Sequence, residues 1–169
     1  MIELTDDLLR KSARVTAFCD RIGFAVWQLQ DLETVCAKYL MLRTCIKEGV
    51  TENDYDDLVA KALGKPFGAT LRAAAEANVF SGALQTRFKE ILSERNWLIH
   101  KSRLDNRAAF YSDSAAHDLI QRIDLISAGV RELMIEIDKL IDSDAIESGI
   151  DLADLGRRTD EMLSTWHAA

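Results

Sequence analysis

Proline is nearly missing from this chain, occurring once, at Pro66, in 169 residues. The eight glycines sit mostly between stretches of apolar periodicity, a pattern that suits long helices and excludes a sheet of many short, tightly turned strands. Strand-like alternation is essentially absent. No stretch approaches the roughly 20 apolar residues that a membrane span needs. Cysteine is scarce too. Cys19, Cys36 and Cys45 fall in one helical stretch, an odd number without paired metal spacing or a nearby His, so reduced packing residues are expected and neither metal nor cofactor is. The opening residues carry Glu3, Asp6 and Asp7 instead of a basic segment and an apolar run. A secretory signal is therefore not expected, and a cytoplasmic location is. Basic residues are outnumbered, 21 Lys and Arg against 28 Asp and Glu, which leaves a formal charge of -7. That balance excludes a protein that coats nucleic acid indiscriminately, because such binding rests on neutralising many phosphates. Any nucleic-acid contact has to be local, or the partner has to be basic itself.

What is present points to an all-α fold. With 48% apolar residues the chain can bury one proper core, and a single domain over residues 1–169 is expected. Leu8, Val15, Ile22, Leu29 and Cys36 recur every seven residues, interleaved with Phe18, Ala25, Leu32, Tyr39 and Ile46, which marks a long helix with a narrow apolar seam. Thr5 reads as its start, Gly49 as its stop and Gly23 as a place for a kink. Thr51 and Asp54 open a helix that ends at Gly64, and Pro66 begins a further element. Residues 69–77 read as a short alanine-rich helix, followed by a turn at Asn78 and a cap at Ser81. A helix over 81–102 precedes a polar loop over 103–112, with Asp113 capping the next helix. There Leu119, Ile123, Ile126, Val130, Leu133 and Ile137 repeat at three and four. Asp142-Ser143-Asp144 reads as a helix junction, and 151–166 as a terminal helix.

The helix over 81–102 carries an anomaly. Advancing about 100° per residue, Leu84, Phe88, Ile91, Leu92, Leu98 and Ile99 form one apolar stripe, and Arg95 falls near its centre. A guanidinium cannot shed its proton to ease burial, so Arg95 must pair with a carboxylate, for which the first helix offers candidates, or line a cleft that meets an anion. On the other side Lys89, Asn96, His100 and Arg103 stand three, four and seven apart and make a compact basic stripe. Trp97 lies outside the apolar seam, where a large aromatic ring is either covered by packing or offered to a base. His100 is also well placed as an ordinary helix-end residue favoured by the dipole.

Glu94-Arg95-Asn96-Trp97-Leu98-Ile99-His100 resembles the signature of the HEPN superfamily: Arg, a polar residue, three more positions, then His, late in a helix. Long helices before and after the motif helix match the general layout of that family, and the resemblance implies a HEPN-like bundle of about four to six helices. It further implies metal-independent cleavage of RNA at a site formed across a homodimer, with Arg95, Asn96 and His100 catalytic and Lys89, Trp97 and Arg103 as RNA-binding residues. The residue types suit that chemistry. His100 can act as general base on a 2′-hydroxyl or general acid on the leaving oxygen, Arg95 can hold the charge gathering on the phosphate, and Asn96 can orient either. Arg95 and His100 are about 140° apart around a straight helix and roughly 7.5 Å apart along it. Either the long Arg side chain reaches round the helix, or the helix loosens near His100, or His100 of one subunit works with groups from the other, the last in agreement with the dimeric site that the resemblance implies.

The resemblance implies a toxin or phage-defence setting, with an antitoxin protein as a partner and neither DNA nor membrane among the partners. One familiar HEPN variant has Tyr two residues after the His. Ser102 stands there in this chain, which argues against the nucleotidyltransferase-linked form. Two other classes stay open: a non-catalytic HEPN module that binds RNA, nucleotide or protein, and a helical adaptor that associates through the seam of its first helix.

Overall fold

The computed structural model describes residues 5–48, 52–149 and 151–167. Among these residues there is no strand, and the all-α expectation holds. The helices are α1 (Asp6–Glu48), α2 (Glu52–Leu63), α3 (Phe67–Glu76), α4 (Gly82–His100), the single turn α5 (Ser102–Asp105), α6 (Asp113–Glu147) and α7 (Leu152–His167), with a 3-10 turn at Arg107–Phe110. The chain divides into two compact units, Met1–Met134 and Ile135–Ala169, and α6 runs from the first into the second. No helix among the described residues is long and apolar enough to cross a membrane.

Local chemistry sets most boundaries in the first unit. The Leu8 amide donates to Thr5 Oγ1 at 3.4 Å and starts α1, which then continues through Gly23 without a break. Asn78 takes a left-handed turn with φ 53°, a conformation that Asn tolerates better than most residues. Ser81 Oγ accepts the Leu84 amide at 3.3 Å and caps α4. The cap of α6 is Ser112, whose Oγ accepts the Ala115 amide at 3.4 Å, one residue before the expected Asp113. Gly49 and Thr51 lie outside the described residues. In the second unit α6 continues unbroken through Asp142-Ser143-Asp144, where a junction was expected, because Asp and Ser cost little on an exposed helix face. Asp151 Oδ1 accepts the Ala153 amide at 2.9 Å at the start of α7.

The core of the first unit is built by Leu29, Leu32 and Cys36 of α1, Phe88 and Leu98 of α4, and Ile123, Val130 and Leu133 of α6, all fully buried. Gly129 lets α6 approach α4 closely, since a Cβ there would stand 3.1 Å from Ile91 Cδ1. The apolar seam of α1 is buried at Phe18, Ala25, Leu29, Leu32, Cys36 and Tyr39, whereas Ile22 is half-buried and Leu8 and Val15 are exposed. The chain's own helices cover the middle of the seam and leave its start accessible. Burial of Cys36, with Glu33 adding its charge, pushes that thiol well above its ordinary range. Cys36 fits the expected packing role, while Cys19 is exposed instead, and the side chain of Cys45 lies outside the described residues.

One half-buried side chain is poorly matched to its surroundings. Gln28 buries its Oε1 without a hydrogen-bond donor, and an unsatisfied buried polar group costs about 1–3 kcal/mol. Gln28→Leu is expected to stabilise the chain by about 1–2 kcal/mol, read as a rise of a few degrees in Tm. An unchanged or lower Tm would show that the amide is satisfied in solution.

Candidate functional site

Arg95 meets the requirement that its helix imposed. Its Nε donates to Glu33 Oε1 on α1 at 2.8 Å, with the two side chains 27% and 24% exposed. Its Nη1 donates to Asn96 Oδ1 at 3.4 Å. The anomaly in the amphipathic pattern is thus resolved inside the chain by a partner 62 residues away, leaving the outer end of the guanidinium part-exposed.

Trp97, placed by the helical wheel beside the basic stripe, is buried. Its indole Nε1 donates to Asp105 Oδ2 at 3.1 Å, and the Arg122 guanidinium lies 3.4 Å from its ring centroid. Arg122 in turn donates from Nε and Nη2 to the two carboxylate oxygens of Glu94, both at 3.0 Å. This cluster joins α4, α5 and α6. With one ring face covered and the N–H engaged, Trp97 has little left to offer a base, and packing accounts for its place in the chain.

The stretch expected to be a polar loop is ordered into α5 and the 3-10 turn. Contacts along its whole length hold it. Ser102, buried, donates from Oγ to the Leu98 carbonyl at 2.6 Å. Asn106 Nδ2 donates to the Ser102 carbonyl at 2.8 Å. Phe110 meets Phe18 of α1 edge to face, with ring centroids 5.6 Å apart. Arg14 of α1 also donates to the Phe110 carbonyl at 3.2 Å and pairs with Asp113.

Between the first turns of α1 and this ordered stretch lies an open groove of about 1060 Å³. Phe18, Ile22 and Leu119 line its apolar part, which explains why the start of the α1 seam is uncovered. Lys11, His100, Arg103 and Arg107 line it as well, and no lining residue is acidic. His100 and Arg103 therefore share one groove. Arg95, Asn96, Lys89 and Trp97 do not line it. Lys89, exposed on α4, stands roughly 16 Å up the helix axis from His100 at 1.5 Å per residue.

Sequence reasoning missed Lys11 and Arg107. Lys11 comes from a different helix, and its Nζ lies 4.5 Å from the Tyr111 ring centroid and 3.3 Å from the Tyr111 hydroxyl. The available signal for Arg107 was its four-residue spacing from Arg103, which a stretch read as loop conceals. Among the described residues no group of three or more His, Cys, Asp or Glu could hold a metal ion. Comparison with family models, curated proteins and solved structures finds no match.

Proposed function

We propose that this chain is a metal-independent endoribonuclease of HEPN type, with His100 as its proton-transfer group and the groove beside it as the seat of the RNA. The observation that carries the reading is the groove's composition: Lys11, His100, Arg103 and Arg107 converge without a carboxylate on a chain whose net charge is -7. The His100 imidazole takes the proton of a ribose 2′-hydroxyl, that oxygen bonds to the adjacent phosphorus as the bond from phosphorus to the 5′-oxygen breaks, and the leaving oxygen takes up a proton from the imidazolium or from solvent. The products are a 2′,3′-cyclic phosphate and a 5′-hydroxyl end, a signature that distinguishes this route from hydrolysis by metal-activated water. Purified protein is accordingly expected to cut single-stranded RNA in excess chelator and to leave cyclic phosphate ends. Intact RNA under those conditions would retire the reading.

Arg95 and Asn96 belong to the same proposal through a second copy of the chain. Arg95 does not line the groove that His100 lines, which favours a site to which one subunit brings Arg95 and the other His100. The toxin or phage-defence setting, with an antitoxin-like partner, belongs to this reading and rests on the motif's resemblance alone. A mixture of equal amounts of Arg95→Ala and His100→Ala protein tests the shared site. After subunit exchange, half of the dimers are hybrids with one intact site, so about a quarter of wild-type activity is expected to return. Failure of the mixture to exceed either variant alone would confine the site to one subunit.

A second reading is favoured by the Glu33–Arg95 pair, which gives Arg95 a structural task. In that case the groove binds RNA without turnover. Saturable binding with no cleavage by freshly purified protein distinguishes it.

A further inference from the structure

The groove's cations differ from most other arginines of the first unit in one respect. Arg14, Arg21, Arg87, Arg95 and Arg122 each hold a carboxylate, of Asp113, Asp124, Glu132, Glu33 and Glu94 respectively. Arg103 and Arg107, both exposed, have no hydrogen bond or ion pair among the described residues, and they line the same concavity. Lys11 sits against Tyr111, a neutral partner that steadies the ammonium without cancelling its charge. Three fixed positive charges in one groove repel one another, and an anion that threads between them relieves that repulsion.

The scaffold under these charges is rigid. Ser102 is bonded to Leu98 and Asp105 to Trp97, so α5 is pinned at both ends and presents Arg103, while Asn106, bonded to the Ser102 carbonyl, sets the start of the 3-10 turn that carries Arg107. Binding then freezes little that was free beforehand, which favours affinity. The guanidinium fork matches phosphate oxygens in pairs. The apolar wall of Phe18 and Ile22 offers a surface for sugars and bases in the same groove.

We propose that an RNA backbone runs along this groove, with Lys11, Arg103 and Arg107 each meeting one phosphate, so that two residues outside the motif helix, Lys11 and Arg107, belong to the RNA-binding set. This rests on RNA being the groove's ligand, as under the preceding heading. Single-stranded nucleic acid loses about 0.7 in log affinity per log unit of salt for each phosphate neutralised, so three contacts give a slope near -2.

The test measures binding of a fluorescent oligoribonucleotide by anisotropy across a salt series, on His100→Ala protein so that no RNA is cut. Lys11→Ala, Arg103→Ala and Arg107→Ala are each expected to weaken binding by about 3–10-fold and to flatten the slope by about 0.7. Arg21→Ala, added as a control because Arg21 pairs with Asp124 and does not line the groove, is expected to leave the slope unchanged. Unfolding curves on the same samples separate loss of contact from loss of fold. If RNA binds but the slope survives Lys11→Ala and Arg107→Ala, the backbone runs elsewhere and this assignment alone falls. A failure of wild type to bind or cut RNA removes the preceding reading and this one together. Polyglutamate that displaces RNA as effectively at equal charge would overturn the assignment in favour of an acidic protein partner.

Discussion

RNA cleavage by the His100→Ala variant is expected to fall by about 10²–10⁴-fold, the usual contribution of a positioned acid or base, with the unfolding curve unchanged. The two halves of that expectation have separate physical grounds. His100 is exposed, in the last turn of α4, and makes no hydrogen bond or ion pair among the described residues. Its removal therefore creates no cavity and strands no buried group, and exposed substitutions of that kind shift stability by no more than about 0.5 kcal/mol. The expected loss of cleavage rests on its place in the groove with Lys11, Arg103 and Arg107 and on the proposed chemistry at a phosphodiester. His100→Gln extends the measurement, since it keeps size and hydrogen bonding but can neither take nor give a proton near neutral pH. Loss of turnover in both variants, with RNA affinity kept, isolates the proton transfer. Equal cleavage by wild type and both variants would remove His100 from the mechanism, whatever the groove binds.

How much of this could be read from the sequence depends on the range of the interaction concerned. The long helices were legible because their periodicity is local, as are the Thr5 and Ser81 caps. The need of Arg95 for a carboxylate was legible as well, since a charge in an apolar stripe demands one. The identity of that partner was not. Glu33 is one of 28 acidic residues, and only the packing of α1 on α4 selects it. The stretch 103–112 was misread as a loop for a related reason. Its composition is polar, but the Trp97–Asp105 and Phe18–Phe110 contacts that order it come from elsewhere in the fold. The groove was invisible in one dimension because Lys11 and Arg107 are brought together from α1 and the 3-10 turn. Of its basic residues only His100 stands on the helix that attracted attention, with Arg103 three residues beyond it on α5.

Trp97→Ala is expected to cost about 3–5 kcal/mol, the range for removing a large buried aromatic side chain. Set against the 5–15 kcal/mol total typical of a domain, that is a large share. Packing loss is only part of the effect. Asp105 loses the indole N–H and Arg122 loses the ring beneath it, so the ties from α4 to α5 and α6 weaken together. Arg103 and Arg107 are carried by the segment so released, and RNA affinity is expected to drop in step with stability. Trp97→Phe separates the contributions: the ring stays while the hydrogen bond to Asp105 goes, for a cost of about 1–2 kcal/mol. Denaturant unfolding and RNA binding measured on both variants decide what Trp97 is for. If the ring were instead a platform for a base, Trp97→Ala would abolish binding while leaving the unfolding free energy close to wild type. Packing demands the reverse order, a large loss of stability first, with binding lost only as far as α5 comes loose.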